Sequence, residues 1–142
     1  MIAATARHPA PIPARVTVCD AIRWSLPYSA GVNVNHQYRP TRGGRRILSE
    51  DAQKFIADVN VIVCAQRATP PESGFLGLTL DLYPPDARRR DVDGPLKLTM
   101  DSICAALAID DYRIAHVECW RHAPDKSNPR IEARLGVVVG LE

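Results

Sequence analysis

Apolar residues recur at Val16, Val18, Ile22, Trp24 and Leu26, the single-parity alternation of a half-buried strand that Pro27 ends. A second alternation runs through Leu76, Leu78, Leu80 and Leu82 and stops at Pro84-Pro85. Between them the period lengthens. Ala52, Phe55, Ile56, Val59, Ile62 and Val63 share one helical face. Ser49 stands ready as N-cap, and Glu50 and Asp51 suit the positive end of the helix dipole. Thr69-Pro70-Pro71 breaks that helix. Leu96, Met100, Ile103 and Leu107, at i, i+4, i+7 and i+11, predict a second helix. RIAHVECW and IEARLGVVV read as two more strands, joined by the turn-forming RHAPDKSNP. The polar segment YSAGVNVNHQYRPTRGGRR, rich in Gly and Asn, reads as an exposed loop. The predicted order is β-α-β-α-β-β: an α+β domain with two helices packed on a small mixed sheet.

The N-terminal MIAATARHPAPIPARV has prolines at 9, 11 and 13 and no apolar run. It reads as a flexible, Pro-rich tail over 1–15 rather than a secretory signal, leaving 16–142 as one domain. No stretch approaches the ~20 apolar residues of a membrane helix. Cys19, Cys64, Cys104 and Cys119 lie far apart without CxxC spacing, so they read as reduced, half-buried thiols of a cytoplasmic protein. His8, His36, His116 and His122 form no metal-binding pattern either.

Charge alters this picture more by its kind than by its sum. The net charge is only +2, but 15 of the 18 basic residues are arginine. They cluster at Arg42, Arg45 and Arg46, and again at Arg88, Arg89 and Arg90. A guanidinium pairs bidentately with phosphate, so an arginine-heavy set suits phosphodiester backbones. The same clusters also fit a solvated, salt-bridged face.

The second cluster runs into Asp91 and Asp93, in DARRRDVDGPLK. If the chain is still extended at 91, both carboxylates share a face and reach one hard cation where a strand gives way to a helix. Lys97 lies one turn beyond Asp93, and Asp101 one turn further. The plainer alternative makes Asp93 an N-cap, Pro95 a first-turn proline, and Lys97–Asp101 a surface ion pair. Asp110-Asp111 supplies a third acidic position, or simply a turn.

The combination narrows the choice. RRRDVDGPLKLTMDSICAALAIDDYRI resembles the signature of the RusA family of Holliday junction resolvases, with its Arg-rich lead, D-x-D-N-x-x-K helix entrance, acidic helix position and Asp-Asp pair. SLPYSAGVNVNHQYRPTRGGRRILSEDAQKF is similar to the family's first strand, basic loop and first helix, so the resemblance covers roughly residues 22 to 138. It implies that Asp91, Asp93 and Asp111 are metal-binding catalytic residues and Lys97 the essential basic residue, with Asp101 and Asp110 as neighbours. It implies Mg²⁺, with Mn²⁺ as a substitute. It also implies a homodimer that nicks four-way DNA in recombination and repair. The two arginine clusters then contact DNA, or Arg88, Arg89 and Arg90 serve instead as structural ion-pair partners of the aspartates. One departure stands out: Gly94 occupies the position of the family's Asn, which leaves a non-cutting junction-binding protein as the alternative.

The resemblance carries a geometric difficulty. A helix over about 94–107 is roughly 20 Å long, so Asp91 and Asp93 sit at one end and Asp111 beyond the other. Either the connection folds back along the helix, or a partner subunit supplies Asp111.

Overall fold

The computed structural model describes residues 17–139. The tail read over 1–15 and the strand position Val16 lie outside the described residues. The chain forms β1 (Thr17–Pro27), β2 (Tyr38–Pro40), β3 (Arg46–Leu48), α1 (Glu50–Ala65), β4 (Leu76–Tyr83), α2 (Leu96–Leu107), β5 (Ile114–Arg121) and β6 (Arg130–Val139). The four long strands make one mixed sheet in the order β1-β6-β4-β5. β6 runs antiparallel to both β1 and β4, whereas β4 and β5 are parallel and joined through α2. The α+β class and the order of the main elements are as read from the sequence. No helix among the described residues is long and apolar enough to cross a membrane.

The alternating leucines of β4 explain the layering. Leu76, Leu78, Leu80 and Leu82 are all buried, beside Trp24 and Leu26 of β1 and Ile131, Ala133 and Leu135 of β6. Phe55, Val59 and Val63 of α1 and Ile103 of α2 belong to the same core. The opposite parity carries charge. Asp81 accepts a 2.6 Å hydrogen bond from His122 and lies 3.7 Å from Arg134. Arg130 stacks 4.0 Å from the Tyr83 ring centroid while bonding Asp125 and Glu132.

Ser49 caps α1 as expected, its Oγ accepting from the Ala52 N–H at 3.2 Å. It also donates to the His36 carbonyl at 2.7 Å, so the cap ties the preceding loop to the helix. That loop holds structure the hydrophobic pattern did not reveal. β2 and β3 pair as a short antiparallel hairpin, closed by Thr41 bonds to the Arg45 carbonyl and by Gly44 at φ +76°.

The buried face of α2 is rotated from the predicted stripe. Leu98, Thr99, Ser102, Ile103 and Cys104 are buried; Leu96, Met100 and Leu107 are only partly so. Thr99 is accommodated because its hydroxyl donates to the Pro95 carbonyl at 2.7 Å, so burying it costs little. Ala108 ends the helix in the left-handed region, φ 55°, and the Ile109 N–H closes on the Cys104 carbonyl.

The thiols differ in exposure. Cys64 is exposed on α1, against the half-buried reading, because it lies off that helix's buried face. Cys104 is buried and Cys119 partly so. Burial pushes both of these thiols up to about 11. At pH 8 a thiol with that pKa is thiolate in about one molecule per thousand, so alkylation mapped by peptide mass is expected to mark Cys64 well before Cys104 or Cys119. The strained cap is testable too. A left-handed alanine costs ~1–2 kcal/mol, and glycine's freer unfolded chain offsets ~0.4–1 kcal/mol of the relief. Ala108→Gly is therefore expected to stabilise the fold by up to about 1.6 kcal/mol, read as a higher denaturant midpoint at unchanged slope.

Candidate active site and basic groove

β1 and β4 each run antiparallel to β6, and β5 runs with β4, so all three end at the same edge of the sheet. The segments that follow them therefore share that edge. After β4, Pro84-Pro85 stops the ladder and Asp86 organises what comes next. Its carboxylate accepts from the Arg88 N–H at 3.0 Å and pairs with Arg90 at 2.7 Å and, more loosely, with Arg88 at 3.7 Å. The Arg90 guanidinium, placed beside it, is the main cause holding Asp86 below the usual carboxylate range. Arg90 also bonds the Asp86 and Arg88 carbonyls, and its own carbonyl accepts from Arg121 of β5 at 2.6 Å. Of the three consecutive arginines, Arg90 is thus built into the loop, through Asp86 rather than through the downstream aspartates. Arg88 and Arg89 are exposed.

After β1 the chain makes two 3-10 turns, Ala30–Val32 and Val34–His36, closed by Val32 N–H to Ser29 O and His36 N–H to Asn33 O. Gly31 is needed for this path: a Cβ there would lie 2.4 Å from the Ala52 backbone nitrogen. Between the two segments lies a cavity of about 720 Å³. Tyr28, Asn33, Asn35 and His36 form one wall; Arg88, Arg89, Arg90 and Asp91 form the other. Burial raises the Tyr28 phenol pKa, with the positive charge of Arg90 opposing the shift. The β2–β3 hairpin continues directly from the first wall. Its tip carries Arg42, Arg45 and Arg46, all exposed, and Arg46 sits 5.7 Å from the Tyr38 ring centroid.

Asp91 and Asp93 occupy a turn before α2, in which Gly94 N–H bonds Asp91 O at 3.2 Å and Leu96 N–H bonds Asp93 O at 3.0 Å. Both aspartates are exposed. The Asp93 side chain does not cap α2; Pro95 holds the N-cap position without a side-chain bond. The Cys119 thiol donates to the Val92 carbonyl at 3.2 Å and pins the turn to β5. Burial is the largest cause of that thiol's raised pKa, and the negative charge of Asp93 adds to it.

Lys97 points along α2. Its ammonium lies 2.8 Å from Asp101 and 3.4 Å from Asp111, and these contacts, Asp101 first, raise its pKa. After Ala108 the chain turns back, Asp110 caps the turn through the Tyr112 N–H at 2.9 Å, and Asp111 returns beside the helix. The fold-back brings Asp111 within reach of Lys97. Lys97 is the second residue of α2, so the fold-back carries Asp111 toward the helix end that the Asp91–Asp93 turn precedes. Among the described residues no three His, Cys, Asp or Glu side chains stand close enough together to hold a metal ion. The exposed Asp91–Asp93 pair still fits Mg²⁺ chemistry, because Mg²⁺ usually takes one or two carboxylates and completes its shell with substrate phosphate and water.

Sequence reasoning missed the far wall of the groove, Tyr28 with Asn33, Asn35 and His36, and the organising role of Asp86. The i, i+4 spacing of Asp86 and Arg90 after a Pro-Pro stop was a readable signal for the latter. Nothing local signalled the former, since which strand ends share an edge depends on the whole sheet.

Two comparisons with known proteins bear on this arrangement. The family model described as Endodeoxyribonuclease RusA matches residues 27–136, which include both walls of the groove, the Asp91–Asp93 turn and Asp111. The crossover junction endodeoxyribonuclease rusA of Enterobacteria phage HK97 is 31% identical over 97 residues, covering 68% of this chain and 78% of that protein. The chain that builds this groove belongs to the RusA family of endodeoxyribonucleases.

Proposed function

We propose that this protein resolves four-way DNA junctions in recombination and repair, by paired, divalent-metal-dependent nicking as a cytoplasmic homodimer. The observation that carries the reading is the placement of Asp91 in an arginine-lined groove, with Asp93 exposed in the same turn, in a chain of this family. Asp91 and Asp93 would hold Mg²⁺, or Mn²⁺ in its place. When bound, such a metal lowers the pKa of coordinated water and polarises a phosphoryl oxygen.

The protein's own residues do the rest. Arg88 and Arg89, facing the groove, would seat the scissile strand, and Arg42, Arg45 and Arg46 would hold a flanking arm. Arg90 would act through the loop it braces. Water oxygen bonds to phosphorus, the bond from phosphorus to the 3′ oxygen breaks, and that oxygen takes a proton, leaving a 5′-phosphate and a 3′-hydroxyl. Lys97 would position the phosphate or offset its growing charge. An exposed ion pair is worth only ~0.2–1 kcal/mol, so Asp101 and Asp111 do not lock the lysine away from substrate.

Asp111, which the fold-back sets beside Lys97, would enter as the third carboxylate from its own chain or, across a two-fold axis, from the partner. Antiparallel pairing of α2 with its copy would set each Asp111 beside the partner's Asp91–Asp93 turn. It would also couple the two nicks by symmetry. The second reading, junction binding without cleavage, draws on Gly94 in place of the family's Asn.

Two measurements test these assignments. Asp91→Asn is expected to slow Mg²⁺-dependent nicking of a fixed four-way junction by about a hundredfold or more, with mobility-shift affinity in EDTA unchanged. Equal cutting by both proteins would remove Asp91 from the chemistry, and a wild type that binds but never nicks would favour the second reading. For the hairpin, each phosphate contact adds ~0.9 to the slope of log affinity against log salt. Replacing Arg42, Arg45 and Arg46 together by alanine is expected to flatten that slope by up to about 3. An unaltered slope would place the hairpin off the DNA.

A further inference from the structure

Gly94 is buried, and the space beside its Cα is already taken. A Cβ at this position would lie 2.6 Å from Asn33 Oδ1, 3.1 Å from Asn33 Cγ and 3.3 Å from the Asp91 carbonyl oxygen. The carboxamide of Asn33 therefore rests on residue 94, inside the turn that presents Asp91 and Asp93. It arrives from across the groove. The Asn33 backbone is held between the two 3-10 turns, where its carbonyl accepts from the His36 N–H at 2.8 Å. Asn33 and Asp91 also line the same cavity.

We infer that Asn33 is a positioning residue of the reaction: its carboxamide, packed on Gly94, orients the Asp91–Asp93 turn and offers an amide to the groove. This rests on the reading of Asp91 as a catalytic carboxylate. The chemistry is suited to the place. A primary amide has two donors and an acceptor and carries no charge, so it can hold a carboxylate or a phosphate oxygen without competing for a cation. Outer groups that orient a metal-ligating carboxylate typically contribute ~10–100-fold in metal affinity or activity.

The contact also explains why residue 94 lacks a side chain. The two glycines pressed against neighbours here differ in kind. A Cβ on Gly31 meets backbone at 2.4 Å, which cannot yield, whereas the atoms nearest a Cβ on Gly94 are the end of a side chain, which can swing aside, and the Asp91 carbonyl at 3.3 Å need give only a few tenths of an ångström. Adding a methyl at 94 would thus displace the Asn33 amide rather than unfold the turn. Gly94→Ala and Asn33→Ala should then damage the same thing.

That equivalence is the test. Single-turnover nicking of a four-way junction with Mg²⁺ is compared for wild type, Asn33→Ala, Gly94→Ala and the double variant, with junction affinity in EDTA and melting temperature measured alongside. Each single variant is expected to lose about tenfold in rate with affinity and melting little changed. The double variant is expected to lose about tenfold as well, not a hundredfold, because residues that act as one unit are not additive. Asn33→Ala combined with Gly94→Asn returns an amide to the vacated space and is expected to recover part of the rate. Wild-type nicking by Asn33→Ala, multiplicative losses in the double variant, or no recovery with Gly94→Asn would each overturn the inference while leaving the nuclease reading intact. If the wild-type protein itself fails to nick, the nuclease reading falls and takes this inference with it.

Discussion

Everything at the working edge depends on the row of four leucines in β4. Each is fully buried, and burying such a side chain contributes roughly 1.5–3 kcal/mol. A one-residue slip would turn all four away from the helices. The register with β6 and β5 is therefore fixed, and so is the point at which Pro84-Pro85 ends the strand. The acidic turn stands where it does because hydrophobic burial several residues upstream leaves it no other place. α2 then packs back over the sheet, and the parallel return through β5 supplies Arg121 and Cys119 to hold the turn from its far side.

On that frame, charge is divided into spent and available portions. Asp86 with Arg90 is spent: short, bidentate to side chain and backbone, and largely shielded from solvent on the arginine side. Arg88, Arg89 and the hairpin arginines are available, exposed at the groove or beside it. Lys97 lies between the two states, paired with Asp101 and Asp111 yet open to water. A sequence motif of three arginines gives no hint of this division. It arises because the backbone path after Pro85 brings the third guanidinium to 2.7 Å from Asp86 and leaves the first, at 3.7 Å, loosely held and exposed.

Much of the fold was legible because local and tertiary demands agree. α1 has its serine cap, acidic first turn and apolar face in one reading frame, and the structure uses all three. The β2–β3 hairpin was illegible since its three-residue strands are mostly Arg, Pro and Tyr, with too few positions to show a period. The buried side of α2 was misjudged because Thr99 and Ser102 count as polar by type but are enclosed in fact. At the site, Asp91 and Asp93 were placed correctly between a strand and a helix. Asn33 was invisible as a neighbour of Gly94, as the contact spans some sixty positions and exists only once β1 and β4 end side by side with β6 between them.

That intervening strand makes the sheet a ruler. The two walls of the groove hang from β1 and β4, two strand spacings apart, or about 9.6 Å along the sheet. The separation at their roots is a property of backbone hydrogen bonding, indifferent to which side chains the loops carry. Loop substitutions can therefore change what the groove attracts while its gauge stays constant. Altering the gauge would require adding or removing a strand. Dimension and chemistry are thus inherited from different parts of the chain, and the second is free to vary without disturbing the first.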